Sequence, residues 1–537
     1  MDAGRAGRRG AGTITRVLLA VLSGLAAAAS FEPLGWVVLL VPAVAGLSLA
    51  VHGLRGRRAF GTGLLFGLAF MGGLLPWIQV IGVDAWIGLS FLQALFFGLL
   101  GVLLGRVQRL PAWPLWASCC WVLAELLRST VPWGGFPWGR LAFATVDTPL
   151  AAAMPWLGSS GTSALVALLG TTLGWVLLER RWRRPRALVA VASAVAVAAL
   201  PALAGAGSPG RDDGPRVRVA GVQGNVPGKG MDAFAERRAV LDNHVRATHE
   251  LAARIEAGAT EQPDFVVWPE NSTDIDPFVD SSVRADIQDA VDAVGVPVLV
   301  GAMVGGPGPV DVRNQGIVWS PGSGPGESYS KTHPVPFGEY IPHRAQLAQL
   351  FERLDQIPRD MVPGTEPGLL DLAGTPVGDV ICFEVAYDDV VHEVVDGGAE
   401  LLVVQTNNAT YMDTGQIEQQ FATARLRALE TSRWVVVVAT NGVSGIIAPD
   451  GQVVDRAPVK ETAVLERDVP LRDGLTPAMR FSRWWELALL LVAAGAVSAT
   501  IVQDRRSRRG PRHQPPPSPS ADPELAPADP AGAGGAR

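Results

Sequence analysis

Val377-Gly378-Asp379-Val380-Ile381-Cys382-Phe383-Glu384 is an apolar run that ends on a thiol and a carboxylate. Val377–Ile381 is short and rich in β-branched residues, which predicts a buried strand, and a loop then opens on Cys382. Only two other cysteines exist, Cys119 and Cys120, and they are neighbours inside a hydrophobic stretch. If Cys382 belongs to an exported domain, it has no local disulfide partner there. A lone thiol outside the cytoplasm is open to oxidation, so it needs a chemical reason to be present. Nucleophilic catalysis is such a reason.

Similar runs surround this one. Val217–Val222, Phe265–Trp268, Val296–Val300, Leu401–Val404 and Val435–Val438 read as strands, with helical stretches at Ala233–Ala257, Ser282–Val294 and Gln416–Ser432. Buried strands alternating with amphipathic helices predict an α/β domain whose sheet faces are covered by helices. Polar residues gather just after the runs: Pro269-Glu270-Asn271, Cys382, Gln405-Thr406-Asn407-Asn408 and Thr440-Asn441-Gly442. Strand ends feeding loops are where α/β proteins build sites.

Outside this region the apolar residues come in blocks, so the net charge of −6 says little. Eight segments, near 14–30, 34–53, 60–82, 84–105, 112–127, 160–178, 188–206 and 485–503, mostly approach the roughly 20 residues that cross a bilayer core. Arginines cluster before the first segment and after the second, fourth, sixth and eighth. The alternate connections 31–33 and 82–84 hold no Lys or Arg, and 128–159 holds only Arg128 and Arg140. Basic residues stay cytoplasmic, so this pattern places both termini inside and the α/β domain outside. The expected organisation is a membrane domain at 1–210 with seven helices, an extracytoplasmic domain at 211–480, a last transmembrane helix at 481–504 and a disordered cytoplasmic tail at 505–537. The start also has the form of a secretory signal. With seven further spans behind it, it is read as an uncleaved helix. The tail is rich in Pro and Ala and has almost no large apolar residue with which to fold.

Three motifs carry the chemistry. Val267-Trp268-Pro269-Glu270-Asn271-Ser272 puts a carboxylate at a strand end. Tyr329-Ser330-Lys331-Thr332-His333-Pro334-Val335-Pro336-Phe337-Gly338-Glu339-Tyr340 holds one of only three lysines among 45 basic residues. A lysine is a compact point charge with three donors, which a planar guanidinium cannot mimic. The third motif is Val380-Ile381-Cys382-Phe383-Glu384. Each also has a plain explanation: Glu270 as a solvated surface group, Cys382 as a small buried hydrophobe, Lys331 as chance.

Taken together, Glu270, Lys331 and Cys382 in these contexts resemble the Glu-Lys-Cys triad of the nitrilase superfamily. Such a domain inserted before the last of eight spans is similar to the apolipoprotein N-acyltransferase family. The likeness covers about residues 14–503 and extends through Ala424-Arg425-Leu426-Arg427-Ala428-Leu429-Glu430, Thr440–Ser444 and Pro449-Asp450-Gly451. Three departures stand out. Phe383 replaces a frequent Tyr, Asn407-Asn408-Ala409-Thr410-Tyr411 replaces Asn-Asp-Ala-Trp-Phe, and Gln420 replaces a common His.

The resemblance implies a multi-pass α-helical membrane domain plus an exported nitrilase-like α/β domain, an α-β-β-α sandwich. It implies acyl transfer from a phospholipid to the N-terminal α-amine of a diacylated apolipoprotein through a thioacyl-cysteine, at the bacterial inner membrane. Cys382 would be the nucleophile, Glu270 the base and Lys331 the oxyanion stabiliser. Glu339 and Glu384 would orient Lys331 or support the base, Asn314 would stand behind them, and Phe383 and Tyr411 would line the acyl path. Neither a cofactor nor a metal is expected, and no nucleic acid partner. The Trp-rich loop Val131–Arg140 reads as an interfacial segment, with Arg140 facing a lipid phosphate or simply anchoring the belt. Two rival readings are a membrane-tethered amidase, which would use water in place of the amine, and a transporter with an inactive soluble module. Plain spans and a filled triad argue against the transporter.

Overall fold

A computed structural model of the chain describes residues 3–179, 192–196, 200, 214–227, 237–347 and 359–508. The first part is helical: α1 (Ala3–Ala29), α2 (Leu40–Val51), α3 (Gly56–Leu74), α4 (Val83–Val107), α5 (Trp113–Thr130) and α6 (Met154–Glu179). Among the described residues, four stretches are long and apolar enough to cross a membrane: Gly12–Ala29, Val83–Val107, Pro149–Leu178 and Pro477–Ser507. The predicted segments 34–53, 60–82 and 112–127 are occupied by α2, α3 and α5, each shorter or less apolar. Pro76 opens a separate 3-10 turn at Pro76–Val80 beyond the end of α3. The predicted seventh span, 188–206, lies outside the described residues except for 192–196 and 200, as does the whole tail beyond Arg508.

Small residues let these helices approach. A Cβ on Gly63 of α3 would lie 2.1 Å from the Phe97 carbonyl oxygen, and one on Gly101 of α4 would lie 2.5 Å from that of Ala59. Apolar side chains gain little from leaving lipid for one another, so close backbone contact is what holds such a pair.

The α/β domain contains strands β1 (Arg216–Gln223), β2 (Phe265–Val267), β3 (Val298–Gly305), β4 (Asp311–Ser320), β5 (Gly324–Ser330), β6 (Asp360–Met361), β7 (Leu369–Leu372), β8 (Thr375–Ile381), β9 (Leu401–Thr406), β10 (Val435–Ala439), β11 (Gly445–Ile447), β12 (Val453–Arg456) and β13 (Ala463–Pro470). Its helices are α7 (Arg237–Glu256), α8 (Ser281–Val294), α9 (Arg344–Leu347), α10 (Asp388–Asp396) and α11 (Gln416–Thr431), followed by α12 (Pro477–Arg508). One sheet runs β13-β1-β2-β3-β4-β5 with β6 beside β4, and the other runs β12-β11-β10-β9-β8-β7.

Alternation along the strands builds the layers. Val217, Val219, Phe265 and Val267 of the first sheet meet Val377, Ile381, Leu401, Val403, Val436 and Val438 of the second in one core. The intervening Ala220, Val222, Val266 and Trp268 pack on Leu241, Leu251, Val283 and Ile287 of α7 and α8. Val380, Leu402, Val404, Val435 and Val437 pack on Val390, Val394, Ile417 and Phe421 of α10 and α11. The result is four layers, α-β-β-α, as expected. The last of these cores continues without a break into Phe66, Phe70, Phe97 and Trp121 of the helical domain. The two domains are therefore joined through one continuous apolar core.

Candidate active site

The parallel strands β1-β2-β3 and β8-β9-β10 end on the same side, and their C-terminal ends deliver the site. Glu270 follows β2, Cys382 follows β8 and Asn407 follows β9. Cys382 adopts φ 58°, a left-handed conformation that costs a non-glycine residue energy. It opens the 3-10 turn Cys382–Ala386, so the nucleophile candidate sits on a sharp corner.

Three donors converge on the Glu270 carboxylate. Asn314 Nδ2 donates to Oε1 at 2.7 Å, Lys331 Nζ donates to Oε1 at 3.2 Å, and the Asn407 backbone N–H donates to Oε2 at 2.7 Å. Lys331 has 0% exposure, and its ammonium is shared with Glu339 Oε1 at 2.6 Å. Glu339 in turn accepts from the Val335 N–H at 2.8 Å through its other oxygen. A hydrogen bond from the Lys331 N–H to the Asn314 carbonyl (2.9 Å) closes the arrangement.

These neighbours set the protonation states. Burial alone would lower the Lys331 pKa, but Glu270 and Glu339 outweigh it and hold it well above the usual lysine range. Burial raises Glu339 and prevails over the opposing pull of Lys331. Burial, then the Glu270 carboxylate, push the Cys382 thiol up to about 12, against the attraction of Lys331 and a hydrogen bond with Thr406. The resting site therefore holds a neutral thiol beside a fixed cation and an acceptor carboxylate. A thiol in that state needs a base during attack rather than ionisation beforehand.

The sequence-derived supporting residues divide into two groups. Asn314 and Glu339 touch Glu270 and Lys331 directly. Glu384 makes no hydrogen bond to the Lys331 ammonium. Its Oε1 accepts from the Thr332 N–H (2.7 Å), the His333 N–H (3.0 Å), Thr332 Oγ1 (3.0 Å) and Tyr329 OH (2.9 Å), and its Oε2 accepts from the Ile381 N–H (2.9 Å). It is a clamp tying the segment just after Lys331 to the residue just before Cys382.

Phe383 stacks on Phe136 (5.4 Å between centroids, 23°) and on Trp138 (5.5 Å, 11°), both from the loop joining α5 to α6. Tyr411 meets Trp77 edge-on at 5.3 Å. Burial and then the nearby Cys382 push its phenol above the usual range. Phe337, from the Lys331 segment, meets Trp133 edge-on at 5.3 Å. The Cys382 corner therefore rests on aromatic side chains of the helical domain.

Arg140 corrects an expectation. It is 2% exposed and faces protein, donating to Asp388 Oδ2 at 2.6 Å and to Ser160 Oγ at 2.7 Å. The loop folds back because Arg128 of α5 binds the Phe136 and Trp138 carbonyls (3.0 and 2.6 Å), which turns Arg140 inward. Asp388 also pairs with Arg427 at 2.8 Å, and Arg427 donates to the Val385 and Ala386 carbonyls at 2.8 and 3.0 Å. A chain of charges thus runs from the helical domain to the turn that begins at Cys382. Sequence reasoning quoted Asn407, Tyr329, Thr332 and Arg427 within its motifs but assigned none of them a role. Asn407 was visible only as part of a polar cluster after a strand, because its contribution to Glu270 is a backbone N–H.

Comparison with known proteins gives concordant results. The family described as "Apolipoprotein N-acyltransferase N-terminal domain" matches residues 23–172, and "Carbon-nitrogen hydrolase" matches residues 218–474. An apolipoprotein N-acyltransferase of Mycolicibacterium smegmatis is 40% identical over 94% of this chain and 88% of its own length. One from Pseudomonas aeruginosa is 29% identical over 88% of this chain and 93% of its own. Among solved structures, an amidase from Nesterenkonia sp. superposes with a TM-score of 0.35 at 19% identity, covering 48% of this chain and 91% of that one.

Proposed function

The chain belongs to the apolipoprotein N-acyltransferase family, and from that premise we propose that it transfers an acyl chain from a phospholipid to the N-terminal α-amine of the diacylglyceryl-cysteine of apolipoproteins, with Cys382 carrying the acyl group between them. It is a membrane enzyme, and its apolar helices fit that setting. The arginine-bearing connections support eight spans, with both termini cytoplasmic and residues 211–480 on the extracytoplasmic side.

Glu270 removes the thiol proton as Cys382 Sγ attacks the phospholipid ester carbonyl. Lys331 stabilises the negative charge that develops on the carbonyl oxygen, together with a backbone N–H at the Cys382 corner. Collapse of the tetrahedral species breaks the ester C–O bond, Glu270 returns the proton to the leaving lysophospholipid hydroxyl, and a thioester remains. The lipoprotein α-amine then attacks that thioester, the C–S bond breaks, and its proton passes through Glu270 back to the thiol. Ester and amine become hydroxyl and amide, so the sequence balances with no oxidant or cofactor. Asn314, Asn407 and Glu339 keep the base and the cation aimed throughout.

The observation that carries this reading is the stacking of Phe383 on Phe136 and Trp138. It joins the residue next to the nucleophile to the helical domain, where both lipid substrates arrive by lateral diffusion. The test is peptide mass spectrometry of the purified full-length protein after incubation with phospholipid alone. A hydroxylamine-labile acyl mass on the Cys382 peptide, absent in Cys382→Ala and lost on adding a diacylated lipopeptide, is expected. Hydrolysis of a small amide with no such adduct would replace the transferase by a tethered amidase.

A further inference from the structure

Asp379 lies in the middle of β8 with 0% exposure, three residues before Cys382. Its neighbours on the same face, Val377 and Ile381, belong to the core between the two sheets. Neither carboxylate oxygen of Asp379 has a hydrogen-bond partner among the described residues, and neither does Gln405 Oε1. Both groups converge on Gly316 of β4, in the opposite sheet. A Cβ there would lie 2.0 Å from Asp379 Oδ2 and 2.7 Å from Gln405 Oε1.

The other end of the Gln405 amide is committed. Its Nε2 donates to the Trp268 carbonyl oxygen at 2.5 Å, two residues before Glu270. Flipping the amide would set Oε1 against that carbonyl, acceptor against acceptor, so Oε1 must face Asp379. A bare carboxylate there would again oppose an acceptor, and burying it unpaired is costly. A proton on Asp379 satisfies both groups at once.

We propose that Asp379 is a positioning residue, a buried carboxylic acid that donates its proton to Gln405 Oε1 and so links the strand carrying Cys382 to the loop carrying Glu270. The proposal rests on the acyl-transfer reading of the site above. The chain Asp379–Gln405–Trp268 crosses from one sheet to the other, and it fixes the separation between nucleophile and base. The charged groups facing Asp379 are acidic: burial first, then Glu384 and then Glu270 hold its carboxyl well above the usual range, and the Tyr329 phenol of β5 is also close. Because its folded-state pKa is raised, its contribution to stability is complete below the unfolded value of about 3.9 and is lost as pH rises toward the folded one.

The test uses full-length wild type, Asp379→Asn and Asp379→Val in detergent. The infrared spectrum of wild type at neutral pH should show a protonated carboxyl C=O band that Asp379→Asn removes. Single-turnover acylation of Cys382 by phospholipid should stay within about threefold of wild type in Asp379→Asn, which keeps a donor. In Asp379→Val it should fall by about 30-fold or more at saturating donor, with the dependence on donor concentration unchanged, since small misplacements of reacting groups cost up to about 100-fold. Absence of the band, equal loss in both variants, or a wild-type rate in Asp379→Val would each overturn the proposal. If Asp379→Val does not fold, the band and the Asn variant still decide. Wild type that shows the band but forms no adduct would refute the transferase reading and leave the protonated acid standing.

Discussion

Replacing Lys331 with Met removes the cation held between Glu270 and Glu339 and keeps a side chain of similar length. In wild type its ammonium lies 3.2 Å from one carboxylate and 2.6 Å from the other. Without it, buried Glu270 and half-buried Glu339 carry two unopposed charges, and Glu339, already held above the usual carboxylate range, takes up a proton to restore the original balance. Protonating a carboxyl of ordinary pKa about 4.3 at pH 7 costs about 3.7 kcal/mol at 1.36 kcal/mol per unit. That falls within the roughly 3–5 kcal/mol expected when one partner of a buried pair is removed. For a domain of this size the cost lowers the unfolding midpoint by about 7–15 °C at pH 7. The sign with pH follows from proton uptake. The folded variant binds a proton that the unfolded chain does not, so its deficit relative to wild type shrinks as pH falls, to about 1 kcal/mol at pH 5. Heat-induced unfolding of both proteins from pH 5 to 7, in one detergent and one buffer series, measures this directly. Acylation of Cys382 should fall by about 10²–10³-fold, through loss of the oxyanion donor. A deficit that stays constant from pH 5 to 7, or acylation within tenfold of wild type, would refute the assignment of Lys331 as the neutralising and stabilising cation.

Three further outcomes are expected. Phe383→Ala should cost about 3–5 kcal/mol, because the ring is buried against both Phe136 and Trp138, while Phe383→Tyr keeps the stack; thermal unfolding and acyl-transfer rates of the two variants check this. With the Cys382 thiol pushed up to about 12, its alkylation by iodoacetamide should rise about tenfold per pH unit between about pH 7 and 10, and a plateau near pH 8 would contradict the neutral resting thiol. Gly101→Val drives a side chain against the Ala59 carbonyl and should reduce the yield of monodisperse protein on size-exclusion chromatography, whereas Gly88→Ala, with nothing within 4 Å, should not.

Much of this architecture can be read from the order of residues alone. The unbroken apolar runs Val435–Val438 and Leu401–Val404 imply that both strands are covered on two faces, because a side-chain period of two sends successive residues to opposite layers. The lengths of the apolar blocks and the sparing use of lysine mark the helical domain and Lys331 in the same way. These are local properties, carried by composition and spacing. The role of Glu384 is not local: its acceptors are spent on backbone N–H groups of Thr332, His333 and Ile381, which come together only when the Lys331 segment folds over the Cys382 corner. Backbone donors have no signature in sequence, and so Asn407 could be seen as polar but not as the group holding Glu270. Arg140 makes the point most sharply. An arginine in a loop with two tryptophans reads as interfacial, yet two carbonyls bound by Arg128 turn the loop inward and give Arg140 the half-buried Asp388 as its partner. Which of two oppositely charged partners a side chain meets depends on how separate elements pack, and packing is decided by the whole core rather than by neighbours in the chain.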